Sequence, residues 1–220
     1  MVKAIIFDVG GTLLGATNLF ENILADNVSI EVHDAIYELL AKEFFQQIMD
    51  CRNGSSFKRV VEIIAIAIEA VNNEKNNCLS AANAEQVYWN TFVRDSFVIH
   101  DADRALEKLA EKKVELFVAS DADAELIYAQ FEKHQWSNYF HQSFISSEVR
   151  AYKPDNVFVA ALNNAISNYE KNEVIFVGDS EVDIETGRKL GVRTALISNS
   201  NQKRYNEDYS ISSLLELLDL

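Results

Sequence analysis

Short apolar runs that alternate with amphipathic helical patterns constrain the fold of this chain more than any other feature of its sequence. Each run has the length of a strand that is covered on both faces, and is too short for a buried helix. Alternation of strands and helices predicts an α/β fold with a doubly wound parallel sheet. The predicted strands span residues 4–7, 114–119, 174–177 and 193–197, with a further one at Phe144 and Ile145.

The predicted helices of this alternation lie between the predicted strands. They span residues 102–112, 123–133, 155–169 and 181–190, and Gly191 ends the last of them. One helix face is predicted to pack on the sheet in the stretch 155–169. Its members are Val157, Phe158, Ala161, Leu162 and Ala165.

Residues 16–95 depart from the alternation, because helical periodicity repeats there with no strand pattern between the repeats. Such a stretch predicts an all-helical insertion after the first strand. The chain then divides into a discontinuous core, residues 1–15 and 96–220, and a helical cap domain, residues 16–95. The cap has three predicted apolar faces: Val32, Ile36, Leu39, Leu40 and Phe44; Phe57, Val60, Val61, Ile64 and Ile68; and Ala84, Val87, Tyr88 and Phe92.

Three aromatic residues lie close together in the cap, at Tyr88, Trp89 and Phe92. Their helical spacing favours burial in the cap core. The alternative interpretation is an aromatic gate over a binding site.

Net charge narrows the classes of partner. The 34 acidic residues outnumber the 20 basic residues and give a net charge of −14. This sign repels nucleic acid and anionic membrane surfaces, so neither is a predicted partner. The most apolar stretch, residues 60–71, is interrupted by Glu62 and Glu69. It is also shorter than the ~20 residues that a membrane span needs.

Cysteine content and the first residues bear on the cellular compartment. The apolar run after Lys3 is too short for the core of a signal peptide. Two cysteines, Cys51 and Cys78, are too few for a disulfide framework in a chain of 220 residues. We therefore expect a cytoplasmic protein with two unpaired thiols. No sequence feature indicates an oligomeric state.

Polar residues follow the predicted strands. Asp8 comes after the first strand, Ser120 after the second and Asp179 after the third. Lys153 stands between Ser120 and Asp179, and Asp183 lies four residues beyond Asp179. In open α/β sheets, ligands bind beyond the carboxyl ends of the strands, so we expect these side chains to converge. Three carboxylates and one ammonium group can hold a hard divalent cation together with a phosphate.

These residues resemble the four short motifs of the haloacid dehalogenase-like hydrolases, in the same order along the chain. The matches are residues 5–12, which end a strand in DxxxT, then Ser120, Lys153 in YKPD, and the GDxxxD sequence at 178–183. The resemblance covers the predicted core, and the insertion at 16–95 is similar to the helical cap of that family. It implies a hydrolase, most simply a phosphatase.

The resemblance also implies a role for each matched residue. Asp8 would be the nucleophile that forms an aspartyl-phosphate, with Ser120 and Lys153 as the other catalytic residues. Mg²⁺ is the implied cofactor, and a small phosphorylated molecule is the implied substrate. The implied metal site comprises Asp8, the backbone carbonyl of Gly10, Asp179 and, indirectly or through a water molecule, Asp183. The implied phosphate-binding residues are Thr12, Ser120, Asp121 and Lys153.

Two positions depart from the pattern of the family. Most of its phosphatases have a second aspartate two residues after the nucleophile, which protonates the leaving group, but this chain has Gly10. Proton transfer of that kind is worth ~10² to 10⁴ in rate, so we expect alkyl phosphates to be poor substrates. Asp121 stands where asparagine is common in the family and adds negative charge near the predicted phosphate site.

Gly10 leaves two other functions open. The first is hydrolysis of a carbon–halogen bond, because a halide leaves without a proton; Asp179 argues against it, since that reaction needs no metal. The second is a catalytically weak or inactive protein that retains the site for phosphate or metal binding. The presence of Asp8, Lys153 and Asp179 favours an enzyme.

Overall fold

The computed structural model describes residues 1–25, 33–75, 79–80, 83–198 and 205–220 of the chain. Its strands are β1 (Ala4–Phe7), β2 (Leu14–Gly15), β3 (Phe97–Val98), β4 (Glu115–Ser120), β5 (Phe140–Ile145), β6 (Val174–Gly178), β7 (Arg193–Ile197) and β8 (Tyr209–Ile211). Its α-helices are α1 (Leu19–Leu24), α2 (His33–Arg52), α3 (Val60–Lys75), α4 (Ala84–Trp89), α5 (Ala102–Glu111), α6 (Ala124–Lys133), α7 (Ser146–Val149), α8 (Asn156–Ala165) and α9 (Glu181–Leu190). A π-helical turn, Asn90–Arg94, continues α4, and 3₁₀ helices span Lys171–Glu173 and Leu214–Asp219.

Six strands form one sheet in the order β5-β4-β1-β6-β7-β8. All of its pairs are parallel, and Ala4 of β1 is in register with Glu115 on one side and Val174 on the other. Since β1 lies between β4 and β6, the residues that follow these three strands meet at one edge of the sheet. The predicted doubly wound fold is confirmed.

The two faces of the sheet bury alternate side chains, as a parallel sheet covered by helices requires. Ile5 and Phe7 of β1 pack into one apolar cluster with residues of α5 and α6. Ala4 and Ile6 pack into a second cluster, with Phe158 of α8. Continuous apolar runs therefore form these strands because neither face is open to water.

Helix α8 corrects one prediction. It ends at Ala165 rather than at residue 169, and its Val157 is 58% exposed instead of packed on the sheet. Val157 lies in the first turn, about 100° around the helix from Phe158, which is completely buried. The helix stops early because asparagine and serine, which are poor helix formers, dominate residues 163–168.

Helices α1 to α4 and the π-helical turn occupy the segment predicted to be the cap. Ile36, Leu40, Val60, Ile64 and Ile68 are buried as expected, whereas other members of the predicted faces, among them Leu39 and Phe44, are only partly buried. Val32 and Cys78 lie outside the described residues. Cys51 is a free thiol.

Phe57 was predicted on the apolar face of α3, but it precedes that helix. Its ring lies 5.2 Å from the ring of Tyr152, and the Arg150 guanidinium lies 4.9 Å from its centroid. Phe57 therefore packs on the core loop before α8 rather than inside the helical segment.

A two-stranded antiparallel ladder joins the ends of the helical segment. Leu14 pairs with Val98 and Gly15 with Phe97. Two-residue strands carry too little sequence pattern to be predicted, and β8 was missed for a similar reason. The ladder lies beside the predicted boundaries, and we keep the division into core (1–15 and 96–220) and cap (16–95) as a proposal.

Within the described ranges, no helix combines the length and the apolar character needed to cross a membrane.

Residues at the two ends of helix α6, in the core, bind the helical segment. Just before α6, the buried Asp123 accepts hydrogen bonds from the amides of Val60 (3.3 Å) and Val61 (3.0 Å), the first two of α3, and from Arg59 Nε (3.2 Å). At the last residue of α6, Lys133 Nζ donates to the carbonyls of Val93, Arg94 and Ser96 at 2.9, 2.9 and 2.6 Å. An anion thus meets a helix N-terminus and a cation meets a helix C-terminus, as the helix dipoles favour.

We predict that Asp123→Ala lowers the free energy of unfolding by about 1–3 kcal/mol, because it leaves two helix amides without their acceptor. Glu125→Ala is the matched control, since Glu125 pairs with the same Arg59 at an exposed site but binds no amide of α3; it should cost less than about 0.5 kcal/mol. Asp123→Asn, which keeps an acceptor, should fall between them. Urea denaturation measures all three, and an equal cost for the two alanine variants would contradict this role.

Candidate active site

Lys153 forms the centre of the site. Its ammonium donates to Asp8 Oδ1 at 2.7 Å, to Asp183 Oδ1 at 2.6 Å and to the carbonyl of Ala119 at 3.0 Å. The side chain of Lys153 is only 3% exposed, so all three of its protons are used inside the protein. Lys153 therefore joins the end of β1, the end of β4 and the start of α9.

Asp8 follows β1 and is oriented by a second donor. Thr12 Oγ1 donates to Asp8 Oδ2 at 3.2 Å, and Thr12 is completely buried. Between them the chain turns at Gly11, whose φ is +80°. A Cβ at this position would lie 2.1 Å from Asp179 Oδ2. Only glycine therefore lets the turn after β1 approach Asp179, which follows β6, so closely.

Three carboxylates meet at this edge. Asp8, Asp179 and Asp183 each place an oxygen within 4.8 Å of the others. Both oxygens of Asp183 accept hydrogen bonds, Oδ1 from Lys153 and Oδ2 from the amide (3.2 Å) and hydroxyl (2.6 Å) of Ser180. Asp183 lies in the first turn of α9 and forms a capping box with Ser180, so the same side chain stabilises the helix start and binds Lys153.

The pKa values in the cluster follow from burial and charge. Burial raises the pKa of Asp8 above its usual range; Lys153 opposes this shift, and Asp183 and Asp179 add to it. Burial and Asp183 raise the pKa of Asp179 to about 6. Burial alone would lower the pKa of Lys153, but Asp183 and Asp8 outweigh it and raise that pKa. The carboxylates thus hold more negative charge than Lys153 neutralises, which gives the cluster affinity for a proton or a cation.

A cavity of about 390 Å³ opens above the cluster. The predicted site residues that line it are Asp8, Gly10, Ser120, Asp121, Lys153, Asp179 and Asp183. Thr12, predicted to bind phosphate, is not among the lining residues and lies behind Asp8. Apolar side chains form much of the remaining wall, mainly from the helical segment: Leu19, Phe44, Phe45, Ile48, Val60, Tyr88, Phe92 and Ile127.

The aromatic residues of α4 and the π-helical turn divide between the two interpretations. Tyr88 is buried and Phe92 partly buried, and both line the cavity, with ring centroids 5.4 Å apart. Trp89 is 38% exposed and is not a lining residue. Tyr88 and Phe92 therefore pack within the helical segment and also form part of the cavity wall.

Arg52, the last residue of α2, is a site residue that the sequence analysis missed. Its Nη2 donates to Asp121 Oδ2 at 2.9 Å, and Asp121 Oδ1 accepts the amide of Lys153 at 2.8 Å. Asp121 therefore links the helical segment, through Arg52, to the backbone at Lys153. An arginine at a helix C-terminus is ordinary in sequence, so no pattern distinguished Arg52. The contacts of Asp123 and Gln130 also cross to the helical segment, and no sequence pattern distinguished these two residues either.

We predict that Lys153→Met lowers the free energy of unfolding by about 3–5 kcal/mol at pH 9, because it leaves Asp8 and Asp183 buried without their cation. The loss should shrink at pH 6. The pKa of Asp8 is raised, so Asp8 takes up a proton there and no longer needs the ammonium group. Lys108→Met is the control, because Lys108 lies exposed on α5. Urea denaturation at both pH values checks this; an equal loss at both would contradict the electrostatic explanation.

Two curated relatives act on phosphorylated compounds according to their names. A pyrimidine 5'-nucleotidase of Streptococcus pneumoniae is 27% identical over 121 residues, which cover 52% of this chain and 51% of that protein. A ribulose-1,5-bisphosphate 5-phosphatase of Halopiger xanaduensis is 27% identical over 145 residues, which cover 60% of each protein. The matched stretches thus span about half to three fifths of the lengths of these relatives.

The fold is shared along nearly the whole chain with an L-2-haloacid dehalogenase of Xanthobacter autotrophicus. That structure superposes with a TM-score of 0.76 at 15% identity, over 99% of this chain and 97% of the other. The family model of the haloacid dehalogenase-like hydrolases matches residues 5–197, a range that contains every predicted site residue. The resemblance drawn from the four motifs and the predicted hydrolase class are confirmed, and the chain belongs to the haloacid dehalogenase-like hydrolase family.

Proposed function

We propose that this protein is a magnesium-dependent phosphatase that acts on a small phosphorylated molecule through an aspartyl-phosphate on Asp8. One observation carries the proposal: Asp8 lies at the floor of a cavity with one oxygen held by Lys153 and the other by Thr12, next to the carboxylates of Asp179 and Asp183. The names of the nucleotidase and bisphosphate phosphatase relatives support the same reaction class.

The residues present fit a magnesium ion. Carboxylate oxygens from three residues lie within 4.8 Å of one another, and Mg²⁺ prefers oxygen ligands. Asp8, Asp179 and the carbonyl of Gly10 would hold the ion, and Asp183, which also accepts from Lys153 and Ser180, would act through a water molecule. When bound, the metal supplies positive charge that neutralises the phosphoryl oxygens.

The chain's own residues account for the steps of the reaction. The Ser120 hydroxyl binds a phosphoryl oxygen, and the positive charge of Lys153, which is hydrogen-bonded to Asp8, attracts the phosphoryl group toward that carboxylate. A carboxylate oxygen of Asp8 forms a bond to phosphorus while the bond to the leaving-group oxygen breaks. Water then attacks the phosphorus, releases inorganic phosphate and restores the Asp8 carboxylate. The overall reaction consumes one ester and one water and yields one alcohol and one phosphate.

Gly10 sets the range of leaving groups. It lines the cavity but offers no side chain to move a proton onto an alkoxide. Leaving groups that are stable as anions, such as phenolates and carboxylates, need no such proton. We therefore propose that aryl or acyl phosphates are better substrates than alkyl phosphates.

Carbon–halogen hydrolysis is the second candidate, and Gly10 together with the largely apolar cavity wall favours it. Asp8 would then attack carbon and release halide. The cluster of Asp179 and Asp183 beside Asp8 argues for the phosphatase, because a halide leaving group has no use for a cation site.

We propose further that the enzyme is cytoplasmic and binds neither nucleic acid nor a membrane. The net charge of −14 supports both exclusions, because it repels anionic polymers and surfaces.

We expect the protein to hydrolyse p-nitrophenyl phosphate in the presence of Mg²⁺ and to lose that turnover on chelation. Asp8→Asn should lower kcat by ~10⁴-fold or more, as removal of a nucleophile does. Asp179→Asn should raise the Mg²⁺ concentration needed for half-maximal rate by at least ~10-fold. Asp34→Asn, at a fully exposed carboxylate, is the control. Release of chloride from 2-chloropropionate without turnover of the ester would replace this function by the second candidate.

We predict that Gly10→Asp raises kcat/KM on alkyl phosphates more than on p-nitrophenyl phosphate. The new carboxyl would protonate the alkoxide, a gain of up to ~10² to 10⁴ that an untuned group will only partly reach. A Cβ at Gly10 would meet nothing within 4 Å, so the side chain has room. Gly10→Asn is the control of equal size without a proton to give. High wild-type activity on alkyl phosphates, unchanged in Gly10→Asp, would mean that another residue supplies the proton.

A further inference from the structure

The cavity contains one cation that the proposed reaction does not use. Among the described residues that line it, Lys153 and Arg52 carry the positive side chains. Lys153 donates its three hydrogen bonds to Asp8, Asp183 and the Ala119 carbonyl. Arg52 lies on the helical segment, on the wall that faces the core.

The hydrogen-bonding capacity of Arg52 is only partly filled. Its Nη2 donates to Asp121, but its Nε is buried and has no hydrogen-bond partner among the described residues. A buried N–H group without an acceptor is costly, and proteins normally supply one. Nε is closed off from the cavity by its burial, whereas Nη1 makes no hydrogen bond to a described residue. Since Arg52 lines the cavity and the two Nη groups of a guanidinium can bind two oxygens of one anion, Nη1 remains as the donor for a ligand there.

The chemistry around Arg52 selects the kind of anion. Asp121 is already bound to the same guanidinium and is held in place by the amide of Lys153, so it stays next to any ligand of Arg52. A carboxylate brings one negative charge beside Asp121, whereas a second phosphate brings nearly two. The neighbouring wall includes Phe44, Phe45 and Ile48, against which a hydrocarbon chain can pack. A planar, singly charged acceptor attached to an apolar body fits best.

We propose that Arg52 binds a carboxylate of the substrate, so that the preferred substrates are small phosphorylated carboxylic acids. Their phosphoryl group lies at Asp8, their carboxylate meets the guanidinium of Arg52, and the carbons between them contact the apolar wall. This inference rests on the proposed function for the position of the phosphoryl group. Arg52 is then a residue that determines specificity.

Binding of phosphonates tests the inference without turnover. 3-Phosphonopropionate, 4-phosphonobutyrate and 5-phosphonopentanoate vary the reach between the two charged groups, and their primary amides differ from them only in lacking the carboxylate charge. Calorimetric titration with Mg²⁺ present should show one acid that binds ~10- to 100-fold more tightly than its amide, the range of a charge-assisted hydrogen bond. In Arg52→Gln this ratio should fall to near one, with the affinity for the amide little changed.

Two further variants separate recognition from structure. Arg52→Lys keeps the charge but not the fork, and should retain only part of the preference. Arg94→Gln is the matched control, since Arg94 is an exposed arginine of the same segment that pairs with Asp95; its ratio should equal that of the wild type. A purely structural role of Arg52 would weaken the binding of acid and amide alike and leave their ratio unchanged.

Wild type that binds acid and amide equally at every length, or that binds neither, would overturn the inference, and so would a preference that survives in Arg52→Gln. The turnover of p-nitrophenyl phosphate, which has no carboxylate, reports separately on the proposed function. A carboxylate preference in binding without ester turnover would keep the inference about Arg52 and remove the phosphatase.

Discussion

The burial of one ammonium group organises this protein. Lys153 is 3% exposed, and a charge in that position is tolerated only with close partners of the opposite sign. Its partners come from distant parts of the sequence: Asp8 after the first strand and Asp183 in the first turn of α9. The parallel sheet makes the meeting possible, because β1 lies between β4 and β6 and the ends of all three point the same way. The fold and the proposed nucleophile, Asp8, therefore depend on the same contact, and the site cannot assemble unless the sheet order is correct.

A second constraint connects the helical segment to that site. Asp123 and Lys133 bracket α6, and each satisfies backbone groups of the helical segment that would otherwise lack partners. Between them, Gln130 of the same helix donates to the carbonyl of Phe92 and lines the cavity. One core helix thus fixes the wall opposite Asp8, and Arg52 adds its ion pair with Asp121 at the end of α2. Movement of the helical segment away from the core would break these polar contacts together, so the shape of the cavity is tied to backbone hydrogen bonding rather than to apolar packing alone.

The sequence predicted the elements that repeat a strong pattern and missed those that depend on contacts across the fold. Buried strands and sheet-packed helices carry their periodicity in every turn, so the bounds of β1, β6, β7 and α9 followed from local residues. Val157 was misplaced because apolar periodicity alone does not fix which side of a first helical turn is covered. Arg52 and Asp123 could not be identified at all, since an arginine or aspartate at a helix end has an adequate local explanation. Thr12 illustrates the intermediate case: its motif was recognised, but only the structure places it behind Asp8 instead of in the cavity.

Gly10 can be understood from the charge that already surrounds it. Asp8, Asp121, Asp179 and Asp183 line the cavity together with two cationic side chains, Lys153 and Arg52. Burial and neighbouring carboxylates already raise the pKa of Asp8, which makes it a weaker nucleophile at neutral pH unless a cation compensates. A fifth carboxylate at position 10 would add to that repulsion while it supplied a proton to the leaving group. In the proposed reaction, glycine at position 10 therefore gives up general acid catalysis and leaves a less crowded anionic site, and a leaving group that departs as a stable anion does not need the acid. An enzyme limited to such leaving groups gains from a largely apolar wall that excludes water until Asp8 has reacted.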